Sequence, residues 1–409
     1  MATERLIVKN FGPIQEADLD LRKVTVLIGE QASGKSVLAK LVAIFRESQI
    51  VETENNSSAI LANQEDWNKR IATYNLTNFD YSKFGIPYFE YANEDFHIVY
   101  DSNVHLTTYK NSKLKELGKK IRDLKADIYD IEQEEEEAHS SGDYEKSLQL
   151  SSERTLYKED LVKIYSEFNK HAFNVIYIPT ERIIFSFVQT IPNFEESYLD
   201  EFAKRFEKSI RLRKRFKIFP FDVDFYRYTE YPKLNEQKNI ISSDKTEEYL
   251  SLSQASSGLQ SLIPLEVVIE TVNPTLKNLF IIEEPELNLY PTTQKKLVEY
   301  LIEKCTKGDN RLIITTHSPY ILTALNNCIQ AKNVVDLHPE ATEEVDKLVP
   351  PQYRIAYEDV MAYFVGGGTA KSIMNEEFQM IDANALDDVS NELGAVFDKL
   401  LDLKYQDQD

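Results

Sequence analysis

The chain has 409 residues, with 68 acidic against 47 basic side chains and a formal charge of -21, so its surface as a whole repels polyanions and any nucleic-acid contact has to be local. Two cysteines, Cys305 and Cys328, without C-x-x-C spacing or a neighbouring His cluster, exclude a disulfide framework and a structural zinc site. No apolar run reaches bilayer-spanning length and the N-terminus leads directly into an alternating pattern, so the expectation is a cytoplasmic protein without membrane contact, long enough for two or three modules.

Residues 5–9, 17–21 and 24–28 read as three short strands, with Phe11-Gly12-Pro13 as the first turn. Between the third strand and an apolar helix beginning at Val37 lies Gly29-Glu30-Gln31-Ala32-Ser33-Gly34-Lys35-Ser36, a G-x-x-x-x-G-K-S spacing. A phosphate chain needs many donors at close range. Small residues that expose backbone N–H groups at a helix start supply them, and the helix dipole favours the anion. Gly29 and Gly34 therefore bound a phosphate cradle, Lys35 is assigned to the β- and γ-phosphates of ATP, and the Ser36 hydroxyl to Mg²⁺.

Residues 48–66 are polar and loop-like, and 79–110 carry aromatic and β-branched runs that suggest antiparallel strands. Leu114, Leu117, Ile121, Leu124, Ile128 and Ile131 then follow at intervals of 3, 4, 3, 4 and 3, the seam spacing of a coiled coil. After the turn signal His139-Ser140-Ser141-Gly142-Asp143, a second arm places Leu150, Tyr157, Leu161, Ile164 and Phe168 at compatible positions, with Arg154 breaking the register. The expectation is an antiparallel helical hairpin over 112–170. Its first arm begins basic and ends acidic, as a solvated helix or as a partner-docking arm.

A strand at Val175–Ile178 runs into Pro179-Thr180-Glu181-Arg182, and a helix is expected from Glu195 to Phe216. It concentrates Lys204, Arg205, Lys208, Arg211, Arg213, Lys214, Arg215 and Lys217, eight cations in fourteen residues, with Lys204, Lys208, Arg211 and Arg215 sharing one helix face. A DNA backbone contact through Lys204 to Lys217 and docking against acidic protein surface both remain open. Further on, Ser253-Gln254-Ala255-Ser256-Ser257-Gly258-Leu259-Gln260 opens an apolar helix over Leu262–Ile269, a second candidate anion site.

The apolar strand Leu279-Phe280-Ile281-Ile282 ends in Glu283-Glu284, followed by Pro285-Glu286. Downstream of a phosphate cradle, one carboxylate is needed to hold Mg²⁺ and another to orient the attacking water. Glu283 takes the metal and Glu284 the water. His317-Ser318-Pro319, directly after the strand Arg311–Thr316, makes His317 a candidate γ-phosphate sensor.

These four elements in this order resemble the ABC-type ATPases of the RecF, SMC and OLD group. Lys9-Asn10-Phe11-Gly12-Pro13-Ile14 looks like that group's opening strand and turn, Glu283-Glu284-Pro285-Glu286 like the acidic motif of its bacterial OLD-like branch, and Ala255-Ser256-Ser257-Gly258 like the signature motif, with Ser256 and Gly258 in the phosphate-contacting places. The resemblance covers roughly residues 1–50 and 172–340. It implies an α/β P-loop NTPase fold, an ABC-type ATPase head whose N-terminal part is 1–111, interrupted by the 112–170 hairpin, completed by 171–340 and followed by a C-terminal helical extension over 341–409. It also implies ATP and Mg²⁺ as cofactors and a homodimer or higher homo-oligomer, because in the family the signature of one head closes the ATP site of another. The sequence departs from most ABC proteins at Glu283, usually Asp, and at Ser257, where the common signature has glycine. No Gln aligns with the Q-loop, leaving Glu181, Arg182 and Gln189 as candidates.

OLD relatives carry a Toprim nuclease whose metal site takes a Glu and an Asp-x-Asp set. After His317 no such set is found, and Asp382, Asp387 and Asp388 read as capping and surface acids near a helix over Leu386–Leu403. By analogy with stand-alone ATPases of Septu and PARIS anti-phage systems, the resemblance implies a sensor or regulator of a separately encoded effector, a nuclease or toxin. The alternative is a RecF-like DNA repair ATPase.

Overall fold

Residues 24–28 are apolar or β-branched throughout and all five are buried, the pattern of a strand covered on both faces. The computed structural model of the chain describes residues 4–47, 64–77, 85–101, 105–109, 112–169, 173–187, 197–213, 215–221, 223–230, 236–243, 246–382 and 399–400. Its main strands are β1 (Glu4–Phe11), β2 (Ile14–Leu21), β3 (Val24–Ile28), β4 (Tyr88–Ala92), β5 (Phe96–Asp101), β6 (His105–Tyr109), β7 (Asn174–Ile178), β8 (Arg215–Ile218), β9 (Val223–Glu230), β10 (Glu236–Ser243), β11 (Thr246–Ser251), β12 (Asn278–Glu283), β13 (Arg311–Thr316), β14 (Val360–Gly366) and β15 (Thr369–Ser372). The helices are α1 (Lys35–Glu47), α2 (Gln64–Thr73), α3 (Ser112–Ser140), α4 (Tyr144–Asn169), α5 (Tyr198–Leu212), α6 (Ser257–Ile269), α7 (Pro291–Cys305), α8 (Pro319–Leu337) and α9 (Thr342–Leu348). The chain forms two compact units. One comprises Met1–Leu21, Val37–Ile176 and Asn273–Leu279, the other Arg22–Ser36, Tyr177–Val272 and Phe280–Asp409.

In the first unit the strand order is β6-β5-β4-β1-β2, antiparallel throughout. Buried and exposed residues alternate along β1 and β2, so each shows one face to a core. That core is aromatic: Phe45 of α1 stacks on Tyr91 at 5.5 Å, and Trp67 of α2 on Tyr100 at 4.3 Å. Within it lies a charge. Arg46 forks onto the Glu4 carboxylate, which also accepts from the Tyr91 hydroxyl, and both charged side chains are 3% exposed. Burial opposes the guanidinium charge, but the Glu4 carboxylate more than offsets it and raises the Arg46 pKa.

The hairpin arms α3 and α4 belong to this unit. Leu114, Leu117 and Ile121 form a buried cluster with Leu161 and Ile164 against it, and the ion pairs Lys113–Glu167 and Lys158–Glu132 show that the arms run antiparallel. Arg154 interrupts the apolar seam because it pairs with Glu135 at 2.9 Å across the two arms. At 29 residues α3 is about 43 Å long. The side chain of Phe168 and the stretch 48–63 lie outside the described residues.

The second unit contains the parallel-rich strands β15-β14-β3-β13, in that order, and the ends of β12 and β7. β3 runs parallel to β13 on one side and to β14 on the other, with Val24 opposite both Leu312 and Val360. A separate antiparallel sheet has the order β11-β10-β9-β8. Two expectations need correction. The basic helix expected to reach Phe216 stops at Leu212, so Arg215 and Lys217 lie on β8 and share no helix face with Lys204. Arg213 is the extended C-cap, its N–H closing on the Ser209 carbonyl. The segment expected to be a helical extension over 341–409 instead returns as β14 and β15, because the Val360–Val365 run inserts beside β3. Asp387, Asp388 and most of the Leu386–Leu403 helix lie outside the described residues, and Asp382 donates its N–H to the Ile373 carbonyl. Among the described residues no helix is long and apolar enough to cross a membrane. Cys305 and Cys328 are both buried thiols, with Cys328 pushed up to about 12 by burial.

Removing one partner of a buried ion pair strands the other, so Arg46→Met should lower the unfolding free energy by about 3–5 kcal/mol in urea titrations. The double variant Glu4→Leu/Arg46→Met should lie closer to wild type, since no uncompensated charge then remains.

Candidate functional site

All the residues that sequence reasoning assigned to phosphate, metal and water lie in the second unit. The loop 29–34 leaves the buried end of β3, and Gly29 faces the β14 backbone so closely that an added Cβ would lie 2.1 Å from the Val365 carbonyl oxygen. Gly34 has φ +106 and Ala32 φ +58, backbone that turns the loop sharply into α1. Lys35 is buried, and its Nζ donates to the carbonyls of Gly29 at 3.0 Å and Glu30 at 2.6 Å. Burial lowers its pKa, while the carboxylates of Glu284, Glu286 and Glu283 act to keep it charged. Ser36 follows half-buried in the first turn of α1.

The acidic strand end holds more than two roles. Glu283 is 3% exposed, and its Oε1 has no hydrogen-bond partner within the protein. A buried carboxylate oxygen of this kind is what a divalent cation takes, so Glu283 with Ser36 fits Mg²⁺ held together with phosphate oxygens. Among the described residues no group of three or more His, Cys, Asp or Glu is placed to hold a metal by itself. Glu284 adopts φ +41, in the left-handed region, and its carboxylate meets His317 Nε2 at 3.2 Å. Its N–H donates to the Thr315 carbonyl at 2.9 Å.

Sequence reading quoted Glu286 only as part of a motif. Its Oε1 accepts from Thr316 Oγ1 at 2.5 Å and from the His317 N–H at 3.1 Å, which fixes the loop after β13 to the loop after β12. Burial raises its pKa more than these hydrogen bonds lower it. Ser318, the N-cap of α8, bonds Gln294 Oε1 at 2.6 Å and completes this support for His317.

Arg182, one of three open Q-loop candidates, has another place. It is fully buried and donates to Pro179 O, Ser261 O, Ser261 Oγ, Glu283 O and Glu284 O, all within 3.2 Å. Burial lowers its pKa to about 10, against the pull of Glu286, Glu283 and Glu284. Glu181 is held by Thr180 at 3.0 Å and Tyr198 at 2.9 Å, and Gln189 lies outside the described residues.

Ser256 is the exposed N-cap of α6, and Gly258 packs where a Cβ would meet the Asn288 carbonyl at 3.2 Å. Four of the eight cations of the candidate basic surface are paired closely within the chain. Lys204 pairs with Asp200, Arg205 with Glu201, Arg213 with Glu270 and Arg215 with Asp224, all within 3.4 Å. Lys214 lies outside the described residues.

Gly29→Ala should force the loop and β14 apart and lower the unfolding free energy by about 1–3 kcal/mol in chemical denaturation, whereas Gly142→Ala at the hairpin turn, with nothing within 4 Å of its Cβ, should change it only by its positive φ. Equal effects at both positions would remove the close-approach argument.

Residues 24–323 match the family described as "AAA domain, putative AbiEii toxin, Type IV TA system". No curated protein matches the sequence. Similar solved structures include the SMC head domain from Thermotoga maritima, at 12% identity and a TM-score of 0.37, covering 92% of this chain and 100% of that one. The Smc head domain with an extended coiled coil bound to the C-terminal domain of ScpA, from Pyrococcus furiosus, is similar at 11% identity and a TM-score of 0.35, covering 96% and 100%. The family match takes in the phosphate loop, the acidic strand and His317 and extends over well more than half of the chain, so this protein belongs to that AAA-domain family.

Proposed function

We propose that the chain is an Mg²⁺-dependent ABC-type ATPase of the OLD-like branch that dimerises on ATP and regulates a separately encoded effector, a nuclease or toxin, in anti-phage defence. The observation that carries the ATPase reading is the gathering of Glu283, Glu284 and Glu286 about the Lys35 loop, with His317 against Glu284 at 3.2 Å. The family description, which names a toxin of a type IV system, suits the defence setting.

In this reading the N–H groups of the 29–36 loop and the Lys35 ammonium bind the phosphates. Ser36 and Glu283 would hold Mg²⁺, which would offset charge on the phosphate oxygens. Glu284 orients a water for in-line attack on the γ-phosphorus. The water oxygen forms the new bond, the bond to the bridging oxygen breaks, ADP leaves with that electron pair, and the water proton passes to the Glu284 carboxylate. His317 steadies that carboxylate and senses the γ-phosphate. Ser256 and Gly258 of one head meet the nucleotide of another.

A RecF-like role on DNA is the weaker reading, because Lys204, Arg205, Arg213 and Arg215 already face carboxylates of this chain. Charges already neutralised at close range release few counterions on binding a duplex.

Lys35→Ala should abolish nucleotide binding measured with a fluorescent ATP analogue. Glu284→Gln should slow hydrolysis on the order of 100-fold or more while ATP stays bound, and should trap an ATP-dependent dimer visible by sedimentation. Glu283→Gln should instead weaken Mg²⁺-nucleotide binding. Hydrolysis by Glu284→Gln at the wild-type rate, or equal loss of nucleotide in both variants, would show the roles to be misassigned.

A further inference from the structure

Glu284 is the residue whose aim matters most for the proposed reaction, yet its backbone sits at φ +41, a conformation that costs a non-glycine residue about 1–3 kcal/mol and persists only when neighbours enforce it. The enforcement has two ends. Its N–H is bonded to Thr315 on the neighbouring strand β13, and its carbonyl accepts from Arg182 Nη2 at 2.8 Å. The same guanidinium holds the Glu283 carbonyl at 2.8 Å through Nη1 and reaches Ser261 of α6 through Nε and Nη2. Beside it Ser186 donates to the Gln260 carbonyl at 2.6 Å, and the Gln260 side chain donates to the carbonyls of Ser253 and Ala255 in the segment that precedes Ser256. A series of buried and partly buried bonds therefore runs from the start of α6 to the Glu284 peptide.

We infer that Arg182 is a positioning residue which transmits the placement of the signature helix α6 to Glu284, so that hydrolysis proceeds only when Ser256 is correctly seated. This inference rests on the roles assigned above to Glu284 and Ser256. The planar fork is essential, since five donors in fixed directions serve three chain segments at once, and a lysine ammonium on the same stem reaches one of them. Arg182 is fully buried, and its five hydrogen bonds all go to protein acceptors. It acts by holding two carbonyl groups, and so its loss changes the rate and leaves binding intact.

Arg182→Lys is the test. Its kcat for ATP should fall about 10- to 100-fold, the effect of a misplacement on the order of 1 Å, with KM changed less than about 3-fold. In the Glu284→Gln background the same substitution should slow the residual rate no further, because the proposed effect on the rate runs through the Glu284 side chain. A merely structural arginine would lower kcat by the same factor in both backgrounds, and that result, or wild-type kcat in Arg182→Lys, overturns the inference. If Arg182→Lys does not fold, Ser261→Ala decides. It removes one acceptor and should lower kcat about 3-fold in wild type and not at all in Glu284→Gln, and an unchanged wild-type kcat overturns the inference. An inactive wild-type protein, or Glu284→Gln at full rate, would sink the assignment of the site and the inference together. Normal behaviour of both with an additive Arg182→Lys effect sinks the inference alone.

Discussion

The second unit is governed by a problem of charge. Three glutamates, Glu283, Glu284 and Glu286, stand at one strand end, two of them almost without solvent, and carboxylates so placed repel one another unless cations and donors are set among them. Lys35 supplies one cation from the loop side, and Arg182 a second from beneath. Thr316 and the His317 N–H bind one carboxylate, and the orphaned oxygens of Glu283 and Glu286 are left as the strongest acceptors in the site. The parallel strands β3 and β13 exist at this register because their apolar runs are buried on both faces, and this delivers the lysine loop and the histidine loop to the same edge of the sheet.

Much of this was legible in the chain. A run of five apolar or β-branched residues followed by glycine-bounded loop and helix specifies its own geometry, and the 3-4 spacing of Leu114 to Ile131 specifies a helical arm. The failures share a cause. The α5 helix was extended past Leu212 because periodic charge looks the same on a helix and beyond its end, while the switch at Arg213 to alternating Phe216 and Ile218 marks the strand. The Val360–Val365 run lies far along the chain from β3, and its membership of the same sheet is decided by pairing at long range, which no local pattern reports.

The site was half legible for a related reason. Lys35, Glu283, Glu284 and His317 advertise themselves by residue type and by the strand or loop before them. Arg182 and Glu286 do their work through backbone carbonyls, a hydroxyl and an N–H, and such partners leave no trace in the sequence of the residue that binds them. Gly29 stands between. Its place in the motif marks it as one bound of the phosphate cradle, but its more demanding reason is the Val365 carbonyl, contributed by a strand more than three hundred residues away.

The position of Ser256 gives the dimer reading its physical basis. Within one chain the 29–36 loop, Glu283 and Glu284 lie in one unit, yet Ser256 stands exposed at the N-cap of a 13-residue helix whose other end is buried in apolar contacts. A helix N-terminus presents unsatisfied N–H groups and a positive dipole, and no side chain caps this one. Such a terminus gains most from an anion supplied by another molecule. Gly258 sets the first turn of α6 against the Asn288 carbonyl, in the loop after the acidic strand. In the proposed dimer a γ-phosphate held by a second head would be sensed through the helix that binds it, and hydrolysis in one head would depend on the nucleotide state of the other.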